Sequence, residues 1–332
     1  MRGNNGDRPM TKSVSLTSSR AFWLVFAGIV ALFGLLPLGV GEYKIHVLIL
    51  CLVFVIVSVS WNLLALTRQV SLGHSAFFGL GAYTSALLSA HYSTFYMVDI
   101  LAGGVVAMTG AILIGMICLR MAPWALAVST LSFAEALKVA CSMLEFTSGQ
   151  EGVSVLPLFG GGLHGKLFSY YLVLGIALAA VLTTYFVMRS RFQFAFQAIH
   201  DEEQAASMLG VNPVLFKVLA FALSAFFTGM AGAFYAHYTT FIEPASVFNI
   251  DISVEAQLMP LIGGLYTFVG PIIGAIAMTL LTEYLRVSIG QGFMIVYGGI
   301  LVVTILFLPD GLIGLSRKVR RRFVKAPVVE GA

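Results

Sequence analysis

Residues 189–219 read RSRFQFAFQAIHDEEQAASMLGVNPVLFKVL. This is the longest polar interruption between the two tails that also carries a helical pattern, and long apolar runs lie on both sides of it. Arg189 and Arg191 stand at its entrance and Lys217 at its exit. Basic flanks place a membrane protein's loop on the cytoplasmic side. Between them Ala195, Ala198 and Ile199 recur with Ala205, Ala206 and Leu209, while Asp201, Glu202, Glu203 and Gln204 lie between. That spacing predicts a short helix with an apolar stripe, lying across the membrane face. Asn212-Pro213 then opens the next membrane helix, since proline is tolerated in a first turn. The pattern alone leaves two readings open: a solvated loop, or a docking helix for a cytoplasmic partner.

The surrounding composition decides the class. Of 332 residues, 59% are hydrophobic and 10% charged, against roughly 25% charged in soluble proteins. In lipid each span must satisfy its own backbone, which leaves helices or closed barrels. The apolar runs are continuous and lack the period-two alternation of a barrel, so helices are expected. The reading is an all-α polytopic transmembrane helical bundle of about ten spans. The expected spans cover 21–39, 45–66, 72–90, 99–119, 122–140, 169–188, 214–237, 252–266, 268–285 and 290–309. A polar tail over 1–20 precedes a transmembrane domain over 21–315, which contains the loop 189–213, and a basic tail over 316–332 follows. With both termini cytoplasmic, 14 of the 19 Lys and Arg fall on the cytoplasmic side: four in the first tail, Arg68, Arg120, Arg189 and Arg191, and six in the last. The net charge of +4 therefore reflects topology and not nucleic-acid binding. The larger external segments are then 141–168 and 238–251. Cys51, Cys118 and Cys141 have no metal or redox spacing and read as small core residues.

Polar groups inside apolar runs mark where helices face protein or water. Trp61, Asn62, Gln69, Ser71 and His74 cluster at the junction of the second and third spans. The stretch after them, SLGHSAFFGLGAYTSALLS (71–89), is rich in small residues and includes Phe77 and Gly81. Close helix packing and a solute path are both compatible with it. Glu135 and Lys138 share a helical face at i,i+3. Gly229 and Gly232 suit a tight helix crossing. The sequence has no GxxxxGK[ST] loop, no nucleophile–base–orienter set and no metal cluster, so neither an enzyme nor a cofactor site is expected in this chain.

Three long stretches carry a resemblance. SWNLLALTRQVSLGHSAFFGLGAYTSALL (60–88), AIHDEEQAASMLGVNPVLFKVLAFALSAFFTGMAGAFYAH (198–237) and MPLIGGLYTFVGPIIGAIAMTLLTEYLR (259–286) occur in order. Over about 45–315 the chain resembles the LivM-type permease subunit of branched-chain amino acid ABC importers. The resemblance implies that 195–212 is a coupling loop docking on an ATPase, with Ala198, Asp201, Glu202, Ala205, Ala206 and Gly210 as its contact positions. It implies a sister permease of LivH type, two ATPase subunits of LivG and LivF type that bind ATP and Mg, and a periplasmic solute-binding protein. The location would be the bacterial inner membrane. This chain would form half of a path for leucine, isoleucine and valine. Candidate path or packing residues are Trp61, Asn62, Ser71, His74, Phe77, Gly81, Glu135 and Gly232. The sequence departs from the family at MAPWALAVSTLSF (121–133), at FTSGQEG (146–152) and at Gln204. Those departures keep urea, short amides and aromatic acids as alternative solutes. An ion-gradient carrier is the competing mechanism. It needs ionisable groups at the midplane, where only Glu135, Lys138 and His74 are candidates.

Overall fold

The computed structural model describes residues 19–92, 95–155, 157, 162–307 and 311–314. The expected tails, apart from residues 19 and 20, and part of the segment 141–168 lie outside them. The backbone is almost wholly helical, as continuous apolar runs require. The helices are α1 (Ser19–Leu35), α2 (Glu42–Ala65), α3 (His74–Tyr92), α4 (Tyr96–Cys118), α5 (Pro123–Met143), α6 (Leu163–Arg189), α7 (Arg191–Asp201), α8 (Glu203–Met208), α9 (Pro213–Thr239), α10 (Pro244–Val247), α11 (Ile250–Gly264), α12 (Gly270–Ile289) and α13 (Phe293–Phe307). One two-stranded antiparallel ribbon joins β1 (Val153–Ser154) to β2 (Phe241–Ile242), with Val153 opposite Ile242. It ties together the two segments expected as external loops.

Each expected span contains a helix, but the count of about ten is corrected. Among the described residues six helices are long and apolar enough to cross a membrane: α2, α4, α5, α6, α9 and α12. The others fail for separate reasons. As described, α1 has 17 residues and α13 has 15, too few to cross a hydrocarbon core that takes about 20. α11 has 15 residues, with Pro260 inside it; at 1.5 Å per residue it reaches about 22 Å, short of a hydrocarbon core of about 30 Å. α3 has 19 residues, but its serines, glycines and two histidines dilute its apolar character. Its neighbours are other helices, so it does not need a lipid-compatible surface.

α2 is the centre of the bundle and the most buried of the six, packing on α6, α9, α11 and α12. A second block forms where α3, α4 and α9 meet. Small residues set this contact. A Cβ on Gly81 would run into the backbone of Gly229, and one on Gly232 would run into the backbone of Phe78. These helices therefore touch backbone to backbone, the arrangement that favours association where lipid removes the hydrophobic drive. α5 lies at the opposite extreme, with only 17% of its apolar stretch covered by the rest of the chain.

Candidate functional site

The polar segment from the sequence folds as the helix pair α7–α8, wedged between the ends of α6 and α9. Ser190 caps α7, its Oγ accepting the Phe192 N–H at 3.2 Å. Ala195, Phe196 and Ile199 of α7 and Ala206 of α8 are buried. Phe196 packs with Leu63 and Leu66 at the end of α2 and with Ala220 of α9. Of the apolar stripe read from the sequence, Ala195, Ile199 and Ala206 face their own chain, whereas Ala205 and Leu209 do not. A second anchor is ionic: Lys217 Nζ donates to Glu203 Oε2 at 2.6 Å. The Lys217 side chain is 2% exposed and that of Glu203 49%. Gly210 closes α8 at φ +84°, a left-handed conformation that suits glycine.

The other face is open. Phe194, Met208 and Leu209 are 78%, 88% and 82% exposed. Asp201, Glu202 and Ala205 are exposed as well, Ala198 is half-buried, and Ala206 is turned inward. The coupling candidates are therefore divided between the two faces.

Behind α7 lies a cavity of about 300 Å³. Trp61, Arg68 and Gln69 line it from the end of α2 and the turn after it, Pro123 from the start of α5, and Gln257, Leu261, Leu265 and Tyr266 from α11 and the turn beyond. Its walls are held by directed bonds. Trp61 Nε1 donates to the Ser71 carbonyl at 2.9 Å. Asn62 Oδ1 accepts the Tyr266 N–H at 3.1 Å, and Asn62 Nδ2 donates to the Thr267 carbonyl at 3.2 Å. Ser71 Oγ accepts the Gly73 N–H at 3.1 Å. Arg68 and Tyr266 both have left-handed backbones, at φ +59° and +60°. Non-glycine residues adopt that conformation at a cost, and such strain collects at functional sites.

α7 touches both strained residues through His200. Its carbonyl accepts from Arg68 Nη1 at 3.4 Å, and its ring meets Tyr266 edge-on at 4.7 Å between centroids. Burial lowers the His200 pKa, and Arg68 lowers it further; Asp201 and a hydrogen bond to the Leu66 backbone oppose the shift. α7 is thus joined, through His200, to two residues that line the cavity.

The remaining candidates lie elsewhere. His74 is fully buried, with Nε2 and Ser224 Oγ 2.8 Å apart, bridging α3 and α9. Phe77 is buried edge-on to Phe221 at 5.1 Å. Together with Gly81 and Gly232, these residues pack the α3–α4–α9 block. Glu135 and Lys138 pair at 3.5 Å on α5, with side chains 48% and 33% exposed. Sequence reasoning took Arg68 as a topological marker and Lys217 as a flank, and it passed over His200, Gln257 and Tyr266. The one signal within reach was Gln69, a polar residue already noticed beside Trp61.

Residues 44–305 match the family described as "Branched-chain amino acid transport system / permease component". The chain is 26% identical over 309 residues to the high-affinity branched-chain amino acid transport system permease protein LivM of Salmonella typhimurium. It has the same identity to LivM of Escherichia coli; each match covers 85% of this chain and 72% of the relative. A probable branched-chain amino acid transport permease protein LivH of Methanocaldococcus jannaschii is 29% identical over 173 residues, covering 49% of this chain and 53% of the relative. No solved structure matches.

Proposed function

This chain belongs to the family of permease components of branched-chain amino acid transport systems, a family of transporter subunits and not of enzymes, and from that premise we propose that it forms half of an ATP-driven import path for leucine, isoleucine and valine. A LivH-type sister permease supplies the other half. Two ATPase subunits of LivG and LivF type bind ATP and Mg and dock on α7–α8, within the coupling loop 189–213. A periplasmic binding protein delivers the solute across the inner membrane, and both termini are cytoplasmic.

One observation carries the coupling role: α7–α8 grips its own chain with one face and leaves Phe194, Met208 and Leu209 open on the other. Large apolar side chains grouped on a short polar segment favour a protein partner. Movement of that partner would be felt at once by the cavity, because His200 touches Arg68 and Tyr266. The half-path reading draws on α5. Charges within a span normally face protein or water, yet the Glu135–Lys138 pair lies half-exposed on the least covered helix. A second permease against α5 would meet that requirement. Asp201, Glu202, Ala205 and Gly210 then frame the docking surface, while Ala206 and half-buried Ala198 support it from within.

The test is the double variant Met208→Glu/Leu209→Glu, in which two charges replace the exposed apolar pair. The expected result is loss of ATPase subunits from the purified complex, with the sister permease still bound. Full ATPase recovery and normal solute-stimulated hydrolysis would count against docking at this face.

A further inference from the structure

Two opposite charges sit inside the span α5. Glu135 is 12 residues beyond Pro123, the first residue of the helix. At 1.5 Å per residue that is about 18 Å along the axis, well inside a hydrocarbon core of about 30 Å. Lys138 follows on the same side, its Nζ 3.5 Å from Glu135 Oε2. Elsewhere in the chain Lys217–Glu203, Lys166–Glu42 and Arg286–Glu283 close to 2.6, 2.9 and 3.0 Å. A charge-assisted hydrogen bond is about 2.7–2.9 Å long. The α5 pair is therefore in contact but not locked, and the side chains of Glu135 and Lys138 remain 48% and 33% exposed. A carboxylate has several lone-pair sites and an ammonium three donors, so each group has capacity for a further partner. The rest of the open face is mixed. Ser132 is exposed one turn before Glu135, and its Oγ donates to the Val128 carbonyl at 3.0 Å. Val128 and Val139 are exposed on either side. Charge and hydroxyl set between valines suit a wet path that also accepts an apolar group.

We propose that the Glu135–Lys138 pair is a binding site for the transported solute within the path, built for the zwitterion of an aliphatic amino acid: its ammonium meets Glu135, its carboxylate meets Lys138 and its side chain lies against the valines of the same face. The proposal rests on the importer reading above, in which the sister permease lies opposite α5, and adds the groups that recognise the solute. Charge complementarity selects this occupant. An α-amino acid carries both charges on one carbon, so it sets a cation against Glu135 and an anion against Lys138 at the same time. The site is neutral overall with the solute present or absent, so loading it brings no net charge into the membrane. Urea or a short amide offers neither group a charge. An aromatic acid brings an anion alone and adds a negative charge beside Glu135.

The experiment uses the complete importer in lipid nanodiscs without nucleotide, carrying Ser132→Cys, and follows the rate of maleimide labelling at position 132. Labelling of the complex without this substitution is subtracted, since Cys51, Cys118 and Cys141 are present. L-Leucine is compared with 4-methylpentanoate, which lacks the ammonium, and isoamylamine, which lacks the carboxylate. The expected result is protection by L-leucine, with weaker protection by each analogue. Glu135→Gln should raise the half-protecting concentrations of leucine and isoamylamine at least about tenfold, the worth of one charge-assisted contact, and spare 4-methylpentanoate. Lys138→Gln should weaken leucine and 4-methylpentanoate and spare isoamylamine. The double variant removes both charges and keeps the span neutral. It should assemble as the unaltered complex does, yet remain at least about tenfold weaker for leucine; where a single variant does not assemble, the double variant decides. Full protection in the double variant would show a pair that only neutralises itself and would refute the site, as would no protection in a complex that imports leucine. The importer reading stands in both cases. If the unaltered complex imports no leucine, the substrate reading fails first and the site fails with it.

Discussion

Glu203→Gln should loosen α7–α8 from the helices they pack on. The pair is asymmetric: the Lys217 side chain is 2% exposed and that of Glu203 49%, at 2.6 Å. Breaking a fully buried pair costs about 3–5 kcal/mol, and an exposed pair is worth about 0.2–1 kcal/mol. With one partner buried and the other half in solvent, about 2 kcal/mol is expected for removing the carboxylate charge. Most of this arises because a buried ammonium is left uncompensated. Lys217→Met should cost less, since it removes the buried charge itself, and the double variant should recover most of the loss of Glu203→Gln. Hydrogen exchange reads this directly. The N–H groups of Ala206, Leu209 and Val211 close α8 and the turn after it. Local opening by about 2 kcal/mol would accelerate their exchange about 30-fold. The reasoning is refuted if exchange in Glu203→Gln matches the unaltered protein, or if the two single effects simply add in the double variant.

Other residues give shorter tests. Gly232→Leu should abolish recovery of folded complex, because even a Cβ would meet the Phe78 backbone; normal yield with normal uptake would contradict the backbone contact. Asn62→Ala strands the Tyr266 N–H and the Thr267 carbonyl. At about 1–3 kcal/mol for a buried unmet group, reduced by partial exposure, a loss of about 2 kcal/mol is expected, readable as a lower thermal midpoint that Asn62→Asp partly restores. His200 titrates below its ordinary range because it is buried. An α7 lifted off its own chain therefore takes up a proton that the packed helix resists. Packing of α7 is fully stable above a pH of about 6.5 and weakens as the pH falls below it. Exchange of the α7 amides, corrected for intrinsic rates, should rise on acidification, and His200→Gln should flatten that response.

The helices were legible because lipid leaves the backbone no alternative, and each long apolar run became one. The number crossing was not legible. A run such as 72–90 has a spanning length, but only the packing reveals that α3 is enclosed by α4 and α9. In 252–266 the pair Gly263-Gly264 does mark the end of α11, and the region 252–285 also reads as a broken or re-entrant pair, but the sequence does not choose between that and two full spans. The ribbon between β1 and β2 was invisible, since two residues per strand carry no periodicity. In α7–α8 the sequence marks an apolar stripe but not its direction. Ala195, Ile199 and Ala206 turn inward, and Phe194, Met208 and Leu209 turn out. The cavity was the least legible part. Arg68 looks like a boundary charge until folding brings it to His200 and Tyr266, far along the chain.

The most direct measurement is ATP hydrolysis by the reconstituted complex, comparing empty binding protein with protein loaded with leucine, isoleucine, valine, urea or an aromatic acid. The predicted result is stimulation by the three branched-chain amino acids and by neither of the others. Stimulation by urea or the aromatic acid alone, or leucine uptake by this chain without ATPase subunits, would contradict it.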